Sequence, residues 1–316
     1  MEPITTSSRL FNYTGAGSRE LETLTGQWYA SSPFRLIETE IVFAEREVER
    51  LAGPGVFARA VQAYSQVPLP PEDLPLLDAV RLPVACLALL RHSALTGVSH
   101  ESTGRKVKMD DNERSPFAWQ IDRDDRAMQE RYYRALDAMY SYLEESAQPD
   151  WTSGETRRLC ADSIVKTIGQ FEAVYPVDGS YYVYYMLLPL VIEQQRSVLE
   201  PRAGAKWAAI ADGSAPEAQL ALARRAAILG AVITAGLRWS LEVFPLEIAR
   251  RFSPTFQGNR ANRAAMTEEI DWYVGKLKEE KENALNDLTE LLADGTAIAP
   301  KAIPQNDPAN KFFTTE

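Results

Sequence analysis

Few residues in this chain carry side chains that could do chemistry. There are two histidines, His92 and His100, and two cysteines, Cys86 and Cys160. Carboxylates gather as Asp110-Asp111 and as Asp122-Arg123-Asp124-Asp125, and either group could offer oxygen ligands to Mg²⁺. Gly97-x6-Gly104-Arg105-Lys106 has the outline of a phosphate loop. Each set falls short. Neither histidine has a glutamate three residues before it, so the motif of di-iron bundles is missing. Lys106 is followed by Val107, not by Ser or Thr, and no apolar strand precedes Gly97. No Ser-His-Asp or Cys-His set can be built around the two histidines. A solvated loop and an acidic helix start explain the carboxylate runs, since the helix dipole favours negative charge there. Glu45 and Glu193 sit at similar places on two helices and read as solvated or paired surface groups. The cysteines read as buried reduced thiols. The expectation is no catalytic centre, no cofactor and no metal.

The elements that would position these residues centre on Leu74 to Glu145. Leu76, Leu77, Val80, Val84, Leu87, Leu90 and Leu95 follow helical steps of three and four. Residues 84–90 are apolar all round, which predicts a helix buried on most sides. Pro83 should start or kink it, and Gly97 should stop it. The period then changes. Val98–Met109 reads as two short polar strands around a turn at Thr103-Gly104, a hairpin with His100 and Val98 before the turn and Arg105 and Val107 after it. A lone polar hairpin is not stable by itself, so it should pair with something, in this chain or a neighbour. A charged loop with Phe117, Trp119 and Ile121 comes next. An amphipathic helix resumes near Asp124 and runs to Glu145, with Met128, Tyr132, Ala135, Leu136, Met139 and Leu143 on one face.

Composition narrows the class. The 316 residues are 45% hydrophobic and 25% charged, as in a folded protein with room for two domains. A net charge of −10 argues against a nucleic-acid-binding surface, which would need a basic patch. The start, Met-Glu-Pro-Ile-Thr-Thr, lacks the basic and apolar regions of a signal peptide. The longest charge-free apolar run, Ala226–Leu237, is shorter than the ~20 residues of a membrane span.

In chain order, residues 1–18 are rich in Ser, Thr and Gly and read as an N-terminal arm. A brief helix starts near Ser18. Pro33 opens a longer one to Leu51, stopped by Gly53-Pro54-Gly55. Val56–Tyr64 is short, with Phe57 as anchor. In the second half, Arg157–Phe171, Tyr181–Leu199, Ala218–Ile248 and Met266–Leu292 read as helices. Residues 294–316 contain Pro300, Pro304 and Pro308, which exclude a helix, and carry Phe312-Phe313 near the end. They read as an extended C-terminal arm.

The two halves match in order. Pro33–Leu51 corresponds to Tyr181–Leu199, and Gly53-Pro-Gly55 with Phe57 to Pro201-Arg-Ala-Gly204 with Trp207. The buried helix 74–97 corresponds to 218–248, and Asp124–Glu145 to Met266–Leu292. The fold expected is mainly α: a duplicated helical repeat over 19–147 and 148–293, with a short β-hairpin at 98–109 in the first repeat.

The pattern Phe34-x-Leu36, Ala44-Glu45, Gly53-Pro-Gly55-x-Phe57 recurs as Tyr184-x-Met186, Glu193, Leu199-Glu-Pro, Gly204 and Trp207. Then come an all-apolar helix, Gly97-Val98 and Ser102-Thr103-Gly104, an aromatic loop (Phe117, Trp119, Gln120), and Tyr132-Tyr133-x-x-Leu136-Asp137 with Tyr142-Leu143-Glu144. Over residues 20–292 this resembles a family of structural proteins encoded in prophages and phages of gut bacteria near the head and tail genes. It is similar in plan to phage head–tail connector (adaptor, neck) proteins, although the chain is longer. The resemblance implies a virion component docked beneath the portal as a homo-oligomeric ring, often dodecameric. It would contact portal and tail or other neck proteins, with DNA passing through the lumen without sequence-specific binding and no membrane involved. A ring needs head-to-tail interfaces that close. Val98, His100, Thr103, Gly104, Arg105, Val107, Phe117, Trp119, Phe312 and Phe313 are the residues expected to bridge neighbours, by strand addition and groove docking. A tail-completion or injection-apparatus adaptor is the first alternative. A helical metal-binding protein or enzyme using the acidic loops is the second.

Overall fold

The computed structural model describes residues 7–66, 70–96, 99–101, 104–106, 117–238 and 267–294. The chain is mainly helical. By contacts it divides into two units. One holds the chain to Ala161 together with Gly179–Met186, and the other holds Asp162–Asp178 and most of the chain from Leu187 onward.

In the first unit, α1 (Gly17–Thr25) precedes a 3-10 turn (Phe34–Leu36) and α2 (Glu38–Ala52). α2 buries Ile41, Val42, Ala44, Val48 and Leu51 along one stripe. Gly53 ends it at φ 91°, a backbone setting that favours glycine, and Pro54 opens α3 (Pro54–Tyr64) at once. Phe57 of α3 is fully buried; such a side chain contributes about 1.5–3 kcal/mol.

α4 (Leu74–Thr96) continues as one helix through Pro83, which does not start it. The proline removes one backbone bond and costs about 3 kcal/mol or more. That cost is offset because α4 is packed between α2 and α5 and buries Val80, Val84, Ala85, Leu87 and Ala88. After α4, the short strands β1 (Ser99–Glu101) and β2 (Gly104–Lys106) pair antiparallel, with His100 opposite Arg105. The remaining residues of 98–109 lie outside the described residues.

α5 (Ala118–Ser146) begins six residues before the sequence pattern places it. The Gln120 side chain accepts from the Phe117 backbone N–H at 2.9 Å and closes the first turn. Trp119, Ile121 and the run Asp122–Asp125 therefore belong to a helix, not to a loop. α6 (Pro149–Thr152) and α7 (Glu155–Asp162) complete this part of the unit. Within it, residues 7–16 lie against the helices, with Leu10 and Phe11 buried.

The second unit corrects another reading. Arg157–Phe171 is not one helix: α7 ends at Asp162, and α8 (Ile168–Glu172) starts afresh with Thr167 accepting from the Gln170 N–H at 3.2 Å. The break is held from outside, because the Ile164 N–H donates to Gln195 at 2.7 Å. α9 (Tyr181–Gln194) leads without interruption into a π-helical turn (Gln195–Leu199) and α10 (Glu200–Ala203). Gly204, at φ 53°, is the true stop. α11 (Trp207–Asp212) comes next, and α12 (Glu217–Arg238) packs on α13 (Thr267–Asp294). By length and composition α12 would pass as a membrane span, although 61% of its apolar window is buried inside the protein, as in a core helix. The charge-free run alone understated it, because Arg224 and Arg225 lie inside the helix.

Candidate assembly surface

The residues singled out in the sequence are only partly placed. Val98, Thr103, Val107, Phe312 and Phe313 lie outside the described residues. His100, Gly104 and Arg105 are placed as backbone in the β1–β2 pair. Phe117 is the residue before α5 and is 69% exposed. Trp119 lies in the first turn of α5.

Phe117 is not an isolated case. Leu95 near the end of α4 and Ile121 in the second turn of α5 are exposed too. These three flank the segment that joins the long pair α4–α5. Ser93 meets Met128 at 3.7 Å, so the end of α4 lies beside the early turns of α5. In the second unit, Leu237 near the end of α12 and Trp272 near the start of α13 are exposed, Trp272 at 68%. They flank the segment joining α12 to α13. Single exposed apolar residues are ordinary. Here half of the ten large exposed apolar side chains among the described residues fall at these two junctions.

Several interior polar groups hold the fold together. Glu144 on α5 accepts from the Trp151 indole at 2.9 Å, from Arg157 Nε at 3.0 Å and from the Tyr185 hydroxyl. It ties α5, α6, α7 and the start of α9 together. Burial pushes the Tyr184 and Tyr185 hydroxyls far above their usual range, so neither is an acid at neutral pH. Cys160 lies 3.5 Å from the Tyr184 hydroxyl and is buried, as is Cys86, whose thiol burial also raises. Asp137 caps the start of α9, accepting from Ser180 Oγ and the Tyr182 N–H, both at 2.9 Å. His92 is half-buried in a T-shaped contact with Trp28, ring centroids 5.2 Å apart, and burial lowers its pKa against the charge of Glu40.

The two glutamates expected at the surface part company. Glu193 is half-buried at the surface and paired with Arg238 at 2.7 Å. Glu45 is buried: it accepts from Ser8 Oγ at 2.6 Å and from the backbone N–H groups of Arg9 at 3.0 Å and Leu10 at 2.9 Å. The pattern did contain the signal, because position 45 stands four residues after Ile41 and three before Val48, on the buried stripe.

A cleft of about 600 Å³ opens in the second unit between α8 and α12, lined by Thr167, Gln170, Val174, Leu222, Arg224 and Arg225. Both arginines are already engaged. Arg224 bonds the Ile164 carbonyl at 3.2 Å and Glu217 at 3.1 Å, and Arg225 pairs with Glu280 at 3.0 Å. Among the described residues, no three His, Cys, Asp or Glu side chains converge as metal ligands would. Asp110-Asp111 lies outside the described residues.

Comparison with protein-family models, with curated proteins and with solved structures finds no match to the chain.

Proposed function

We propose that this chain is a non-enzymatic assembly component, a phage head–tail connector or neck adaptor that forms a homo-oligomeric ring between portal and tail. The observation that carries the reading is the placement of exposed apolar side chains at the junctions of both long helix pairs, Leu95, Phe117 and Ile121 in one unit and Leu237 and Trp272 in the other. A component whose work is to be covered by neighbours presents apolar side chains of this kind. The acidic balance of the chain suits a lumen past which an anionic polymer slides without sticking.

The proposal includes an internal duplication, in which α2, Gly53, α3, α4 and α5 correspond to α9–α10, Gly204, α11, α12 and α13. Three features support it. Both stop glycines hold positive φ, 91° and 53°. Both series run helix, stop, short helix, long apolar helix, junction, long amphipathic helix. Each series joins its first helix to the long apolar one by a carboxylate–arginine pair, Glu47–Arg91 at 2.5 Å and Glu193–Arg238 at 2.7 Å. The hairpin 98–109 and the arm 294–316 with Phe312 and Phe313 are, in this reading, the parts that reach neighbours.

Co-elution of the purified full chain with a purified portal ring tests the reading, with a purified tail tube as the second arm. A stoichiometric portal complex is expected. A tube complex in its place would assign the chain to tail completion. Binding to neither, by a chain that stays monomeric, would overturn the assembly reading.

A further inference from the structure

Residues 8–13 lie in no helix or strand and are held by side chains of three helices. Glu45 of α2, 1% exposed, receives Ser8 Oγ, the Arg9 N–H with both oxygens (3.0 and 3.1 Å) and the Leu10 N–H. The Arg9 guanidinium meets Glu49 of α2 at 2.5 Å and lies over the Phe57 ring of α3 at 4.5 Å. Leu10 and Phe11 are anchors with 0% and 1% exposure, and Arg81 of α4 covers the Phe11 ring at 4.4 Å. The Tyr13 N–H donates to the Tyr64 hydroxyl at 3.0 Å. One buried carboxylate reading consecutive backbone N–H groups, flanked by two apolar anchors, is the construction of a peptide-binding site. Here the chain's own segment fills it.

The segment joins α1 through a turn with two left-handed positions, Asn12 at φ 68° and Gly15 at φ 80°. The Gly15 N–H donates to the Asn12 carbonyl at 3.1 Å, and the Gly17 N–H to Asn12 Oδ1 at 3.1 Å. A few bonds local to this turn set the direction in which the segment leaves. Re-aiming the turn gives up those local bonds, and the contacts of the segment with Glu45, Glu49, Phe57, Tyr64 and Arg81 are ones that the same residues of another copy can offer.

We infer that residues 7–13 are an exchangeable strap, and that the site on α2, α3 and α4 takes the strap of a second copy of this chain. Every copy carries both the sequence that fits and the site that fits it. Exchange of an identical element costs little, because only the hinge changes. Each copy gives one strap and receives one, so the contact is head to tail and closes into a ring when the rotation closes. The inference rests on the assembly reading above and names the contact that would link neighbours.

Two full-length variants test it. Leu10→Asp with Phe11→Asp cannot donate a strap; Glu45→Ala cannot receive one. Each alone should be monomeric, and the equimolar mixture should give a discrete heterodimer, because one intact strap then meets one vacant site. A labelled peptide of residues 7–13 should bind the strap-deficient chain and bind at least about tenfold more weakly when Glu45→Ala is added. Circular dichroism checks that both variants fold; if Glu45→Ala does not, Glu45→Gln with Glu49→Gln serves as the receiving-deficient chain. Folded variants that neither pair nor bind peptide overturn the inference. Variants that each assemble as the parent chain does also overturn it, while leaving the assembly reading intact. Pairing in the mixture, from a parent chain that binds no portal ring, upholds the strap and removes the connector.

Discussion

Glu45 is the residue on which the first unit turns, and its chemistry makes a prediction with a sign. Burial raises its pKa above the ordinary 4.5, against the hydrogen bonds from Ser8, Arg9 and Leu10 and the charge of Arg9, which lower it. A carboxyl whose folded pKa is raised contributes stability that is full below the unfolded value and is lost as pH rises through the folded one. The parent chain should therefore gain stability relative to Glu45→Gln as the pH is lowered toward 4.5. Urea melts of both chains across that range check it, and a difference independent of pH would show that burial does not control the group. Glu45→Ala removes the carboxylate acceptor of the Arg9 N–H and leaves the Leu10 N–H only Ser8 Oγ at 3.3 Å, and should cost about 1–3 kcal/mol at pH 7. At this scale the sequence was misleading for a physical reason. Glutamates crowd the same helix at 38, 40, 47 and 49, and charge alone places all of them outside. Only the position on the stripe of Ile41, Ala44 and Val48 distinguishes Glu45, and its partners come from 35 to 37 residues away. The cysteines were easier: both lie in helical patterns and both are buried.

Among the elements, long apolar helices were legible and their interruptions were not. α4 and α12 follow from the spacing of their own residues. The division of α7 from α8, by contrast, depends on Gln195, more than thirty residues on, whose side chain accepts from the Ile164 N–H and donates to the Asp162 carbonyl at 3.1 Å. No local pattern carries that. The π-helical turn at Gln195–Leu199 belongs to the same arrangement, with Gln194 and Gln195 adjacent in sequence and both buried. Gln194 donates to Thr234 at 3.3 Å and accepts from Lys281 at 2.9 Å, bridging α12 and α13. α12 can approach it because Gly230 has no side chain; a Cβ there would stand 2.7 Å from Gln194 Cδ and 2.9 Å from Cγ. Gly230→Ala should destabilise the chain by about 1–3 kcal/mol through overpacking, despite the helix preference for Ala of about 1 kcal/mol. In a Gln194→Ala background the same change should be neutral or stabilising. A double-mutant cycle by thermal melting reads this, and equal costs in both backgrounds would contradict the account. The hairpin belongs to this scale as well. Replacing 98–109 by a Gly/Ser linker should leave the melting temperature within a few degrees and weaken assembly. Parallel loss of both would assign the hairpin to the fold of a single chain.

At the scale of the molecule, the mainly helical character was legible from periodicity alone. The division into units was less so. The contacts give residues 149–161 and Gly179–Met186 to the first unit, because Trp151, Arg157 and Tyr185 all converge on Glu144. Aromatic residues that look like members of a second repeat thus serve the core of the first unit. The proposed assembly adds a further level, in which exposed junctions, the hairpin and the strap would be completed by neighbouring copies. Light scattering on a sizing column, with negative-stain images of the same fraction, tests this most directly. The account predicts a mass that is a whole multiple of the single chain and images of closed rings, in the free protein or on addition of portal. A single-chain mass under both conditions, with no ring in the images, would contradict it.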